Sequence, residues 1–389
     1  MRTTIWLYLF IFIATFDLHA QFPILTPYAL SLGAAPSFIG LMMGLYSITH
    51  IPGNMMASVW IDRYGSKIFI ILSLIFAGVL LLLQAAVTNP WQLLTIRGLA
   101  GFILAFLSPA ALSMLASLSS NVTTQGKHMA GNGFIHTIAS VGSPAIGALL
   151  VAKLGFTIAF TILGFVLIVA GLCAIIFISN PNNKHKLQLN SAKKLDQPKV
   201  SAAAEKINFP LKVYLIPIAL SCSQGILSFE IPLRLQAQQS IMTTGWLFSV
   251  LSVGSLITLS MLFMTKINPA IRTIYGAFLL SILYYILAVD LAIPFIVVLL
   301  LIGVIKGIIF PALSHWLIVL SQGSRYGRTF SILSIAFSIG AFIGPLLAGQ
   351  IREFVSPYLF AFLILIVAVT VNGYPKWKKP DSPTIQTTP

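Results

Sequence analysis

Apolar runs of about twenty residues follow one another along almost the whole chain, and short polar breaks such as WIDRYGSK (60 to 67) part them. A helix rises 1.5 Å per residue, so about 20 apolar residues cross a hydrocarbon core roughly 30 Å thick. With no water available there, the backbone polar groups must be satisfied inside the segment, which selects helix. The runs predict helices at 5–31, 35–60, 68–87, 91–118, 128–153, 156–179, 212–236, 242–264, 271–289, 294–320, 328–350 and 355–374. The expectation is an all-α membrane protein of twelve transmembrane helices, with little chain left for a soluble domain.

Composition agrees with the pattern. The chain is 58% apolar and 8% charged, with a mean hydropathy of +0.96, whereas soluble domains carry about 25% charged residues. The first run is not read as a signal peptide, because it holds Asp17 in its middle and continues to about residue 30. Cys173 and Cys222 stand alone inside apolar runs, without metal or disulfide spacing, and are read as packing residues.

A net charge of +15 would suggest nucleic acid in a soluble protein, so the position of the bases decides their meaning. With the N-terminus inside, all 23 Lys and Arg except Arg97, Lys153, Arg234, Lys306 and Arg352 fall in cytoplasmic segments. That is the positive-inside bias of a multi-pass protein of the cytoplasmic (inner) membrane with both termini cytoplasmic. No basic patch alternates with base-stacking aromatics, so nucleic acid is excluded as a partner.

The longest polar stretch, NPNNKHKLQLNSAKKLDQPKVSAAAEKINFP (180 to 210), separates two sets of six helices. The expected division is an N-terminal bundle at 1–179, a flexible cytoplasmic linker at 180–211, a C-terminal bundle at 212–375 and a cytoplasmic tail at 376–389. The halves match when slid by about 200 residues. Gly126-Lys127 begins 18 residues before Pro144, and Gly327-Arg328 begins 18 before Pro345. Pro27 and Gly40 stand 13 apart, as do Pro232 and Gly245, and PAALS (109 to 113) is echoed by PALS (311 to 314). A duplicated six-helix unit of this kind places a substrate site between the halves near the midplane.

Three motifs make the sequence resemble the major facilitator superfamily over essentially the whole chain. Asp62-Arg63-Tyr64-Gly65-Ser66-Lys67 is similar to that family's D-R-x-G-R-[RK] loop, with Ser58 in place of the preceding glycine and Ser66 in place of one base. Arg97-Gly98-Leu99-Ala100-Gly101 resembles R-x-x-x-G of the fourth helix. Gly142-Ser143-Pro144-Ala145-Ile146-Gly147 resembles the antiporter element G-P-x-x-G-G, with Ser143 and Ala148 replacing two glycines; Gly340 to Gly349, with Gly344 and Pro345, is the fuller version. The resemblance implies the two-bundle major facilitator fold and transport by alternating access. It also implies that the loop at 62 to 67 is a gate. Gly65 permits the turn, Arg63 and Lys67 hold the loop inside, and Asp62 faces the positive N-terminal end of the eleventh helix.

The charges inside spans carry the candidate chemistry. An aspartate at a helix centre costs about 2.5 to 3.5 kcal/mol on insertion scales, so Asp17 is expected to face an interior cavity. Withdrawal from water favours a neutral carboxyl, which makes Asp17 the candidate proton-coupling residue. In the fold that the resemblance implies, Arg97 lies nearby as its modulator, or as the partner in a static ion pair. Lys306 has no acid near it in sequence and is either a contact for an anionic cargo or a structural, snorkelling lysine. Glu230 and Arg234, spaced i, i+4, can pair on one face, and Glu230 is also carried as a cavity residue. His136 and Gln224 are candidate cavity-lining groups. His50 and His315 read as interior hydrogen-bonding residues without metal-ligand spacing. Gly142, Pro144, Gly147, Gly340, Gly344 and Pro345 are expected packing and bending points.

No nucleotide-binding G-x-x-x-x-G-K-[ST] and no catalytic constellation occurs, so neither an enzyme nor a cofactor or metal site is expected. The resulting expectation is a monomeric, proton-coupled exporter of small organic molecules, drug-like or carboxylate metallophores. An importer of an organic anion, a non-transporting receptor or assembly partner, and a lipid flippase remain open as alternatives.

Overall fold

The computed structural model describes residues 2–118, 122–178, 211–236, 241–259, 267–320 and 326–373, and all regular structure among them is helical. The helices are α1 (Arg2–Ala20), α2 (Phe22–Ser31), α3 (Pro36–Tyr64), α4 (Ser66–Ala85), α5 (Pro90–Leu104), α6 (Leu107–Ser117) and α7 (Val122–Phe177). After a short 3-10 turn at Leu211–Tyr214 follow α8 (Leu215–Gln236), α9 (Ile241–Leu259), α10 (Pro269–Val289), α11 (Phe295–Leu320), α12 (Tyr326–Ile351) and α13 (Pro357–Asn372). The expected linker at 180–210 and the tail at 376–389 lie outside the described residues.

Three departures from the predicted spans have local causes. The first span is two helices broken at Gln21, because Pro23 has no N–H for the carbonyl of His19. The ladder restarts with Ile24 and Leu25 both donating to the Gln21 carbonyl, at 3.2 and 2.9 Å. The fourth span breaks at Ala105 and Phe106, where Pro109 likewise fails to supply a donor to the Ala105 carbonyl. The fifth and sixth spans run together through α7 and part only at Gly155, whose φ of 81° lies in the region that glycine enters without a β-carbon clash.

Nine stretches among the described residues are long and apolar enough to cross a membrane. One of these, Gly131–Phe177, contains two helices, and α3 and the shorter α13 complete twelve crossings. Helix starts and ends meet at two ends of the molecule. At the near end Lys67 donates to the Ile175 carbonyl at 2.9 Å, and Asn372 to that of Lys212 at 3.1 Å. At the far end Phe38 packs edge-on against Trp91, and Arg234 meets Asp290.

The packing repeats between the halves. Helix α1 lies on α7 as α8 lies on α12, α3 on α5 as α9 on α11, and α4 on α7 as α10 on α13. The halves are joined mainly by α3 with α12 and α9 with α7, and also by α2, which packs on α8 and α9. In lipid, helices gain little by hiding apolar area from one another, so close packing at small residues holds them together. Gly147 touches Ala20 within the first half, and Gly340 and Gly344 touch the backbone of Ile218 and Cys222 within the second. Gly142 does not share this role: a β-carbon there would meet only Ile146 of its own helix, at 3.9 Å. Buried tyrosines tie peripheral helices down through backbone carbonyls, Tyr28 to Gln84 at 2.7 Å and Tyr284 to Ser223 at 2.9 Å.

Candidate transport site

The break at Gln21 falls beside a small group of buried polar side chains. Asp17 and Gln21, one turn apart on the broken first span, are 3% and 4% exposed, and Arg97 of α5 is 6% exposed. Asp17 and Arg97 do not form a direct ion pair. Gln21 stands between them, its Nε2 donating to Asp17 Oδ2 at 2.9 Å and its Oε1 accepting from Arg97 Nη1 at 2.9 Å. An uncharged amide can serve an anion with its nitrogen and a cation with its oxygen at once. Asp17 Oδ1 and Arg97 Nε are buried with no hydrogen-bond partner. The guanidinium also lies over the Tyr46 ring of α3, 4.6 Å from its centroid.

Arg97 and Tyr46 form part of the wall of a cavity of about 270 Å³ between the halves. From the first half come Leu18, Phe22, Met43 and Ser47; from the second come Ser221, Gln224, Ser228, Lys306, Phe310 and Phe337. Lys306 of α11 donates to Gln224 Oε1 of α8, and Gln224 Nε2 donates to Ser228 Oγ at 3.2 Å. Phe310, one turn beyond Lys306, stacks on Phe337 at 5.1 Å with the rings 9° apart.

A second cavity of about 110 Å³ continues towards the near end and shares Leu18 and Tyr46 with the first. Its polar lining is Thr15, His50, Ser108, Asn132 and His136. His136 Nε2 lies 3.4 Å from Thr15 Oγ1, and His50 is paired with Asn54, which reaches Ser334 across the halves at 3.4 Å.

Of the residues singled out from sequence, the structure brings Arg97, Lys306 and Gln224 to one cavity, with Asp17 one amide behind its wall. His136 lines the neighbouring cavity. Glu230 lines neither, and its expected i, i+4 pairing with Arg234 is not formed. Arg234 turns instead to Asp290 of the α10 end at 2.5 Å, and Glu230 faces Arg352 of the α12 end at 3.4 Å. Both helix-end partners are close only in the folded bundle, which is why local spacing misled. Asp62 and Arg63 are exposed, Arg63 lying over the Tyr64 ring at 5.3 Å. Gly65 ends α3 with φ 91°, and Lys67 is bound to Ile175. Sequence reading missed Gln21, Tyr46 and Ser228. Gln21 had a signal: an amide four residues after a lone aspartate in an apolar run.

Twelve crossings with matched packing in two halves and a cavity between them define a secondary-transporter architecture. A family model described as Major Facilitator Superfamily matches residues 7–317, and the chain belongs to that family. It is therefore a multi-pass membrane transporter and not an enzyme. It is 26% identical over 396 residues to the multidrug resistance protein MdtG of Salmonella schwarzengrund, covering 96% of this chain and 94% of the relative. Multidrug resistance protein 1 of Bacillus subtilis is 23% identical over 381 residues, with 95% of each chain covered. An uncharacterized MFS-type transporter of Methanocaldococcus jannaschii is 23% identical over 368 residues, covering 90% and 92%. Among solved structures, a bacterial homolog of the human lysosomal transporter Spinster, in an inward-facing and occupied conformation, superposes with a TM-score of 0.73 at 13% identity, over 95% of each chain.

Proposed function

We propose that this protein is a proton-coupled exporter of small organic molecules in a cytoplasmic membrane, working by alternating access as a monomer. The observation that carries the coupling is the buried Asp17–Gln21–Arg97 bridge at the cavity wall. A proton can be taken up at Asp17 Oδ1, the oxygen without a partner, while Oδ2 keeps its bond to Gln21. Protonation then removes the negative charge that balances Arg97, and the arginine is left as an unbalanced cation beside the cargo cavity. The bilayer around the site makes that imbalance costly, because charges withdrawn from water interact strongly. The two relatives named for multidrug resistance support outward transport of organic cargo.

The basic segments support placing the near end in the cytoplasm. Gly40, Gly245 and Gly349 pack on backbone of the other half close to the far-end starts and ends of their helices, and Gly44 does so at the level of the cavity. With the polar second cavity leading to the near end, this arrangement corresponds to the cytoplasm-facing state. In the outward-facing state the loop at Asp62, Arg63, Gly65 and Lys67 is the closing gate. Asp62 then docks on the start of α12, whose preceding residues 321–325 lie outside the described residues. The two bundles at 1–179 and 212–375 move as the rocking units.

Proteoliposomes carrying an imposed pH gradient test the reading, with a fluorescent organic dye as cargo. Dye flux is expected to follow the gradient in the wild type and to become insensitive to it in Asp17→Asn. Gradient-driven flux that persists unchanged in Asp17→Asn would overturn proton coupling through this residue, and the sign of flux decides between export and import.

A further inference from the structure

The two cations of the central cavity are held in different ways. Arg97 is committed to Gln21 and to the face of Tyr46, with Asp17 behind it. Lys306 has a single neutral acceptor, Gln224 Oε1, and no carboxylate among the described residues forms an ion pair with it. No aspartate or glutamate is among the residues lining the cavity. An ammonium has three N–H donors, so two directions remain beyond the bond to Gln224. Gln224 offers the lysine only its one carbonyl oxygen, since its amide nitrogen is a donor and is given to Ser228 Oγ. Lys306 is half-buried against a cavity whose lining holds no acid, so the ammonium has no counter-charge there and an anion in the cavity supplies one.

We propose that Lys306, Gln224 and Ser228 form an anion-recognition site in the second half, which takes the carboxylate of an amphipathic organic monoanion. The apolar body of that ligand lies along Phe310 and Phe337. This names the cargo class of the proposed exporter and rests on the reading that cargo occupies the central cavity. The carboxylate accepts charge-assisted hydrogen bonds from the lysine, which are about twice as strong as neutral ones. The stacked phenyl rings begin one turn from Lys306 and give a flat apolar wall. A ligand amide would gain only a neutral hydrogen bond, and a ligand ammonium would meet like charge. The labour is divided between the halves: the first holds the proton bridge, and the second reads the charge of the cargo.

The test uses the full-length protein in lipid nanodiscs, with no gradient, and three probes of one shape: naphthylacetate, naphthylacetamide and naphthylethylammonium. Binding is followed by naphthyl fluorescence. The wild type is expected to bind the carboxylate at least tenfold more tightly than the amide, with the ammonium weakest. Lys306→Met is expected to abolish the carboxylate preference while amide binding stays within about threefold, and Lys306→Arg to retain the preference. Asp290→Asn, far from the cavity, serves as the control. Equal loss for all three probes in Lys306→Met, with Lys306→Arg failing alike, would show a structural lysine and overturn the proposal. So would binding of none of the probes, or a wild type without carboxylate preference. Loss of gradient-driven flux with the preference intact would overturn proton coupling and leave this site standing.

Discussion

Gly40 packs directly on the carbonyl of Pro345, and a β-carbon at position 40 would overlap that oxygen. The same relationship recurs on the other side of the molecule, where Gly245 packs on the carbonyl of Pro144, a β-carbon there falling 2.7 Å from it. Glycine is needed at both places because the two halves approach backbone to backbone. Gly40→Val is therefore expected to open this seam and shift the protein away from the state with its far end sealed. A cysteine placed at Ile39, fully buried beside Gly40, reports it: labelling by an impermeant reagent should rise several-fold in Gly40→Val, with transport reduced at least tenfold. Unchanged labelling would show that α3 and α12 can yield locally without parting the halves.

Gln21 joins a carboxylate to a guanidinium, and leucine fills nearly the same space without either hydrogen bond. Hydrogen bonds to charged groups contribute about 1.5 to 3 kcal/mol each. Gln21→Leu is expected to reduce gradient-driven flux at least tenfold while cargo binding changes little. Flux within twofold of the wild type would show that Asp17 and Arg97 communicate without the amide.

The two far-end ion pairs should differ in weight. Arg234 and Asp290 are 38% and 75% exposed in their side chains, so Asp290→Asn is expected to cost no more than about 1 kcal/mol. Glu230 is 8% exposed and depends on Arg352, so Arg352→Ala leaves a buried carboxylate unpaired and is expected to cost about 3 kcal/mol. Thermal unfolding in detergent should show a clearly lower midpoint for Arg352→Ala than for Asp290→Asn. The reverse order would mean that Glu230 is held neutral or hydrated.

Asp62 is exposed and forms no ion pair among the described residues in this state. Its proposed contact belongs to the other state, so Asp62→Asn is expected to slow transport about tenfold with cargo affinity nearly unchanged. A parallel loss of affinity would point to a static role for the loop.

The spans were legible in the sequence because the bilayer imposes one solution, an apolar helix about 20 residues long, on every segment that crosses it. The duplication was legible too, and Gly40 with Pro345 and Gly245 with Pro144 show what it preserved: two equivalent seams, each made by one glycine and one proline from opposite halves. The breaks at Gln21 and Ala105 were within reach of the proline rule but were masked by continuous hydropathy.

The sequence by itself determined a twelve-crossing helical membrane protein of duplicated halves, with Asp17, Arg97 and Lys306 as charges needing a purpose. Only the tertiary structure decided their company. Arg97 reaches Asp17 through Gln21, Lys306 finds Gln224 across 82 positions, and Glu230 abandons Arg234 for Arg352. Hydropathy is set residue by residue against lipid. A buried charge must instead find its partner among whichever helices the bundle brings together, and that choice is made in three dimensions.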